Sequence, residues 1–412
     1  MKKNLLEIVV LTIILSLCLS SVVFAAGEAI ELTLQLGSWW DKMAPNVIED
    51  FEKAYPQYKL SIDCLPTSGY FENAVTAILA GSPPDILNLD SQWLSSFAGK
   101  KLLTDLTADI LPKVNEADFK SSVWDLSFYE GKMYGFPCRR SGGALYYNKT
   151  MFDDAGVAYP KKGWTYDDLL DMAKKITVPD EKYGYGIAAD ISNQSDIILS
   201  FAPVLWGFGG DFFNADNTKC TLDQPNAIKA LTWQVELYTK YKVVPEGSIS
   251  YQITRDCMPM FANNKIAMLP SGEQGIVTYS EYPDLKWDIV EFPNGGWNKA
   301  AGWTFTIPVT AKHKKEALDF LLWWAKPEVQ AKLNVRIPSN LKAWDLAAPW
   351  NTPLYKKWAE VSINGKPLPT IGKWAEALII FINEYQKALL EEKTPEQAAK
   401  DMTSQIDLLL IK

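Results

Sequence analysis

The sequence predicts an α/β protein built as two domains. Two observations carry that prediction. Residues 30–89 alternate strand, helix, strand, helix, strand, the order from which a parallel sheet with covering helices is made. The chain also has 412 residues, beyond the size at which a single core stops growing and splits. A composition 48% hydrophobic and 22% charged is that of a folded globular chain.

The first segment is an address rather than a structural element. Lys2 and Lys3 give it a positive start, residues 8–19 are an apolar run, and Val23-Phe24-Ala25 ends in the small residue that a signal peptidase accepts. Residues 1–25 therefore read as a signal peptide cleaved near Ala25. Cys18 invites a lipid anchor, but Leu17 stands where the attachment site needs a small residue, so simple cleavage is favoured. No later run is long and apolar enough to span a membrane. The mature protein is expected to be exported and soluble.

Residues 30–36 place Ile30, Leu32, Leu34 and Leu36 on one side of a strand. Gly37-Ser38 breaks it, and Trp39-Trp40 follow at its carboxyl end. Asp41 is the candidate cap of a helix that shows Val47, Ile48, Phe51 and Ala54 on one face and stops before Pro56. Tyr58 to Cys64 is the second strand. Phe71, Val75, Ile78 and Leu79 mark the next helix, ended by Gly81, and Pro84 to Leu89 is the third strand. In such a sheet ligands meet the loops beyond the carboxyl ends of the strands. Two of these loops carry Trp39-Trp40 and Asp90-Ser91-Gln92-Trp93.

Glu130-Gly131-Lys132 is a turn. A short apolar piece and a strand at Ala144–Tyr147 follow, separated by the flexible Cys138-Arg139-Arg140-Ser141-Gly142-Gly143. Asn148 opens a helix that Gly156 closes. Another helix begins in Gly163–Asp168 and runs through Ile176. Phe201–Asn217, FAPVLWGFGGDFFNADN, reads as a Gly-rich aromatic loop. Pro225–Tyr241 is helical, as is His313–Ala325 up to Pro327. In Thr370–Leu390, Trp374, Leu378, Phe381, Ile382, Tyr385 and Leu389 fall on one helix face.

Composition excludes several functions. The formal charge is -8, and loss of Lys2, Lys3 and Glu7 with the signal makes it more negative, the wrong sign for a nucleic-acid binder. The single histidine, His313, lies in a Lys-rich stretch and is expected in solvent. One histidine leaves no multi-histidine zinc site and no Ser-His-Asp unit. There is no GxxxxGK[ST] loop for ATP. No cofactor or metal is expected. Cys64, Cys138, Cys220 and Cys257 survive cleavage, either as disulfides permitted by export or as buried thiols.

Several motifs carry a resemblance. Tyr129–Gly156 contains "Y-x-GK-x-YG-x-P … LYYNK-x-x-F-x-x-AG". Gly81–Thr107 contains "G-x-P-PD-I" and then "W-x-x-x-x-x-GK-x-L-x-DL". GWTYDDL and MFANNKIAM follow in order, the latter with Asn264 in place of a usual glycine. This chain resembles the extracellular sugar-binding proteins of ABC importers, the maltose-binding-protein-like group. The resemblance covers nearly the whole mature chain. It implies the two-lobed periplasmic binding protein fold, two α/β lobes joined by hinge crossovers. The first lobe would hold residues 26–138 and 305–340, the second 141–302 and 345–412. Crossovers are expected at 138–143, near 303 and near 340–345. The function implied is capture of a carbohydrate, an oligosaccharide first, and its delivery to membrane permease subunits served by a separate ATPase. The binding protein itself would be a monomer and not an enzyme.

Sugars present flat apolar C–H faces and hydroxyl edges, so a sugar site pairs aromatic rings with charged or amide side chains. The chain has 16 tryptophans, several at expected loop tips. The candidates are Trp39 and Trp40 (one plugging the lobe, the other facing the cleft), Asp90 with Trp93, and Arg140 beside Arg139, as a hydroxyl contact or a hinge ion pair. Further along are Trp206 and Asp211 of the Gly-rich loop, Glu273 and Trp303. By resemblance alone, Tyr147 and Trp374 are ligand aromatics. Arg336 precedes Ile337-Pro338-Ser339, where the family has a G-x-x-P turn that this chain lacks. Trp233, Trp323 and Trp324 lie inside helical runs and are assigned to packing or surface. Two alternatives remain: a secreted glycoside hydrolase using two carboxylates, and a two-lobed polyamine binder with an aromatic cage.

Overall fold

The computed structural model describes residues 29–66, 69–119, 122–362 and 364–411. The expected signal peptide and Cys18 lie outside the described residues.

Two sheets organise the chain. The first has five strands in the order Tyr58–Leu65, Ile30–Gly37, Ile86–Asp90, Ala301–Thr306, Phe136–Ser141. Its first three strands are parallel, whereas Ala301–Thr306 runs antiparallel to both neighbours. That returning strand closes a sheet begun more than 200 residues earlier. The second sheet is small and antiparallel: Met268–Ser271, Ala144–Asn148, Trp287–Val290. Each sheet anchors a lobe. The first lobe's core draws on Leu32 through Cys138 and again on Trp303 through Leu333. The second lobe's cores draw on Ala144 through Phe292 and on Ile337 through Ile406.

Local rules account for most elements. The Asn148 side chain accepts from the amide of Met151 and starts the helix Lys149–Asp154. Thr165 and Asp168 form a reciprocal capping box at the head of Tyr166–Ile176. Asn264 takes φ 54°, the left-handed conformation that the substituted glycine position asks for. The lobes meet where Ser141 of one sheet leads to Ala144 of the other. A Cβ on Gly143 would lie 3.0 Å from both Leu199 and Phe292, so glycine lets the crossing strand pass close against the second lobe.

Three expectations are corrected. Asp41 does not cap a helix. A single 3₁₀ turn, Ser38–Trp40, intervenes, and the helix runs Ala44–Ala54 with Pro45 in its first turn. Much of Phe201–Asn217 is not loop, because Gln194–Gly207 is a helix and holds Phe201 to Gly207. It is buried on nearly all sides from Asp196 to Trp206, so it shows no polar face and no amphipathic period. Finally, His313 is paired rather than simply solvated. Its amide donates to Asp85 Oδ1 at 2.9 Å and its ring Nδ1 lies 3.2 Å from Oδ2.

All four described cysteines are free, and Cys138, Cys220 and Cys257 are buried. Among the described residues no helix is long and apolar enough to cross a membrane.

Candidate functional site

A cavity of about 520 Å³ lies between the two lobes. Its first wall is built by loops at the carboxyl ends of the parallel strands. Trp39 sits on the turn after Ile30–Gly37 and is half-buried. Asp90 ends the third strand and caps the next helix, Ser91–Gly99. Its Oδ1 accepts from the Gln92 amide at 3.1 Å and its Oδ2 from Gln92 Nε2 at 3.1 Å. Trp93 is on the first turn of that helix.

Sheet register supplies the rest of this wall. Trp303 is paired with Asp90 on one side and with Arg139 on the other. The three residues therefore form one row across three strands. Trp303 meets Trp39 edge-on at 4.5 Å and Trp93 at 6.2 Å. The Arg139 guanidinium lies 5.5 Å from the ring centres of both Trp39 and Trp303.

The facing wall is polar. It consists of residues 192–196 at the head of the helix Gln194–Gly207, with Gln252, Thr254, Glu273, Gln274, Lys299 and Arg336. Ala375 and Ile379 complete it.

Charges in this site are buried and interlocked. Arg139 Nη1 donates to Glu273 Oε1 at 2.8 Å, joining the first sheet to the second lobe. Burial lowers the affinity of Arg139 for its proton, and the Glu273 carboxylate opposes that. Lys299 Nζ donates to Ser195 Oγ at 3.0 Å. Burial destabilises its ammonium, while Asp90 and Asp196 support it. Burial raises the carboxyl of Asp90 and raises Asp196 to about 6, even though Asp196 accepts from the Ile253 amide at 2.7 Å. Three cations, Arg139, Lys299 and Arg336, thus line the cavity with four carboxylates, Glu72, Asp90, Asp196 and Glu273.

Six of the twelve residues expected at the site line this cavity: Trp39, Asp90, Trp93, Glu273, Trp303 and Arg336. The other six do not, and each has a geometric reason. Trp40 is fully buried, edge-on to Trp324 at 5.5 Å, on the opposite side of its short turn from Trp39. Arg140 is one step along a strand from Arg139, which turns it to the other face, over the ring of Trp344 at 5.4 Å. Tyr147 packs against Phe152 and Tyr159 in the second core, and its hydroxyl is 3.3 Å from Asp288. Its neighbour Tyr146 is buried too and donates to the Gly272 carbonyl. Trp206 is buried and donates to Asp211 at 3.1 Å, and Asp211 is held by Lys366. Trp374 is 2% exposed and packs edge-on to Phe212 at 5.5 Å, while Ala375 and Ile379 of its own helix reach the cavity. Trp233, Trp323 and Trp324 are buried, as packing residues.

Sequence reasoning missed Arg139 as the inward member of its pair, and missed Lys299, Asp196 and Ser192–Ser195 altogether. A signal for the last group was present. Asn193-Gln194-Ser195-Asp196 ahead of an apolar run is a helix start, and the Asn193 side chain does accept from the Asp196 amide. Nothing local marked Lys299.

Residues 33–331 match the sequence pattern of the bacterial extracellular solute-binding proteins. The diacetylchitobiose-binding protein DasA of Streptomyces coelicolor is 25% identical over 415 residues, covering 93% of this chain and 90% of that protein. The sn-glycerol-3-phosphate-binding periplasmic protein UgpB of Escherichia coli is 23% identical, covering 88% of this chain and 87% of its own. Among solved structures, an ABC transporter solute-binding protein of Thermotoga lettingae bound with α-D-tagatose superposes with a TM-score of 0.84. It is 26% identical and covers 93% of this chain and 100% of that one. An ABC substrate-binding protein of Listeria monocytogenes in complex with cycloalternan gives 0.79, also at 26% identity, with 93% and 99% covered.

Proposed function

The chain belongs to the bacterial extracellular solute-binding proteins, and from that premise we propose that it is the binding component of an ABC importer for carbohydrate. It captures the sugar between its lobes and delivers it to membrane permease subunits that work with a separate ATPase. It acts outside the cytoplasm as a monomer after cleavage near Ala25, and it binds without cutting.

The observation that carries this reading is the opposition of the two cavity walls. Trp39, Trp93 and Trp303 stand on one side, and amide, hydroxyl and charged groups on the other. A sugar needs both surfaces at once. Stacking contributes on the order of 1 kcal/mol per ring beyond buried area, by analogy with aromatic pairs. Hydrogen bonds to ionised groups contribute about twice as much as neutral ones. Trp39, Trp93, Asp90, Arg139, Glu273, Lys299, Trp303 and Arg336 are assigned to the ligand.

Charge separates this reading from its rivals. A phosphorylated ligand, as named for UgpB, calls for an excess of cations, whereas Arg139, Lys299 and Arg336 are outnumbered by Glu72, Asp90, Asp196 and Glu273. A polyamine calls for carboxylates left free to meet it, whereas Glu273 is already paired with Arg139, and Asp90 and Asp196 already stabilise the charge of Lys299. The relatives and neighbours named for diacetylchitobiose, tagatose and cycloalternan support a neutral saccharide.

Titration calorimetry of the mature protein with neutral saccharides, sn-glycerol-3-phosphate and putrescine tests the proposal. We expect at least one saccharide to bind at micromolar Kd or tighter, about -8 kcal/mol. Binding of the phosphate or the amine alone overturns it. Release of reducing ends from a bound oligosaccharide would point to hydrolysis instead.

A further inference from the structure

We infer that Gln252 reads one hydroxyl of the sugar: Asp190 and Ser192 hold its side chain in the orientation that leaves the amide oxygen free, so the ligand must bring a hydrogen-bond donor to that place. The inference rests on the carbohydrate reading above. It adds to that reading a specificity-determining residue, Gln252, and a positioning residue, Asp190, that acts through it.

The backbone fixes where Gln252 stands. It lines the cavity and is half-buried, whereas Asp190 is not among the lining residues. Gln252 precedes a one-turn π-helix, Ile253–Cys257, whose Cys257 amide donates to the Gln252 carbonyl at 3.1 Å. The Gln252 amide donates to Asp256 Oδ2 at 2.8 Å. The Asp190 amide donates to the Tyr251 carbonyl at 3.2 Å, which brings together two segments far apart in sequence.

Hydrogen-bond chemistry fixes which way the side chain faces. Gln252 Nε2 donates to Asp190 Oδ2 at 2.9 Å and to Ser192 Oγ at 3.1 Å. The two ends of a carboxamide have the same shape, so their partners decide which is which. Asp190 also accepts from the Ser192 amide at 2.9 Å and the Ser192 hydroxyl at 2.8 Å. Burial raises the Asp190 carboxyl, but these bonds, that of Gln252 and the charge of Arg255 together hold it below its usual range. It is therefore ionised at neutral pH and can only accept. Ser192 spends its one hydroxyl hydrogen on Asp190, so it too accepts from Gln252. Turned over, Gln252 would set its oxygen against a carboxylate. Among the described residues nothing donates to Gln252 Oε1. Unlike Gln92 Oε1, which is fully buried, it stays open to solvent. The polar atom left for the cavity is thus an acceptor. It bonds an O–H or N–H and disfavours a group without a hydrogen, because such a ligand leaves the acceptor unpaired.

Titration calorimetry of the mature protein first finds the binder among D-tagatose and gluco-, manno-, galacto-, xylo-, arabino- and chito-saccharides of one to four units. Deoxy and deoxyfluoro forms of that sugar are then titrated, one position at a time. Fluorine comes close to a hydroxyl in size but brings no hydrogen. At one position both replacements are expected to weaken binding to wild type at least tenfold. Gln252→Met is expected to hold the parent sugar at least tenfold more weakly, and in it the penalty for those replacements shrinks below threefold. Asp190→Asn should cost at least fivefold in wild type and less than twofold in Gln252→Met, because Asp190 acts through Gln252. Equal losses in the two backgrounds would overturn its positioning role. Unchanged affinity in Gln252→Met, or deoxyfluoro sugars that bind like the parent at every position, overturns the inference and leaves the carbohydrate reading intact. If no saccharide binds, the carbohydrate reading fails and the inference falls with it.

Discussion

The two lobes use the same large aromatic residues for opposite ends. In the first lobe Trp39, Trp93 and Trp303 reach the cavity; in the second, Tyr147, Trp206 and Trp374 are turned into the core. The second wall is left to groups that hydrogen-bond. The first lobe therefore supplies rings, and the second supplies polar partners whose interactions are stronger in a buried, low-dielectric site than in water. The contrast lies in facing, because both sets consist of large aromatic side chains.

The sharpest way to break that contrast is to remove a ring from each class. Trp374→Ala is expected to cost about 3–5 kcal/mol of stability in chemical denaturation, the usual loss for a buried tryptophan. The ligand affinity of the folded protein should stay within threefold. A tenfold loss of affinity with little loss of stability would return Trp374 to the site.

Asp196 tests the polar wall through pH. Its folded value of about 6 lies above its ordinary 3.8, so the protonated form is favoured by folding. The stability it contributes is complete below about pH 3.8 and is lost as pH rises through about 6. Relative to Asp196→Asn, wild type should lose on the order of 3 kcal/mol of unfolding free energy between pH 4 and pH 7. Parallel pH curves for the two proteins would show that the carboxyl is not desolvated as described.

Trp93→Ala probes the aromatic wall at a half-buried ring. It should weaken the saccharide found in the panel at least tenfold, about 1.4 kcal/mol, measured by calorimetry. An unchanged Kd would remove Trp93 from the ligand set. The smallest effect is expected for Tyr147→Phe, which deletes one hydroxyl 3.3 Å from Asp288. Stability should change by less than about 1 kcal/mol and affinity not at all. A marked loss of binding would mean that the Tyr147 hydroxyl reaches the ligand.

Much of the first sheet was legible in the sequence because its strands and helices have one buried face each, which writes a period of two or 3.6 into the residues. The helix Gln194–Gly207 was not legible, because burial on nearly all sides erases that period. Half the expected site was legible for a related reason. Trp39, Asp90 and Trp93 sit just beyond strand ends, where an open α/β sheet exposes its loops. For three of the six residues misplaced an adjacent position lines the cavity instead: Trp39 against Trp40, Arg139 against Arg140, Ala375 against Trp374. Sequence put both members on the right element and left the facing open.

Composition and order alone determined an exported-type chain of two α/β lobes, its family likeness and its supply of rings and charges. Only the tertiary structure decided which rings meet the cleft. The row Asp90–Trp303–Arg139 is made by strands separated by up to 213 residues, and Lys299, which meets Asp196 within the second lobe, gains Asp90 only across the cleft. Residue type records how much surface wants to leave water. Pairing register across distant strands, which no local window contains, sets the direction in which each side chain leaves it.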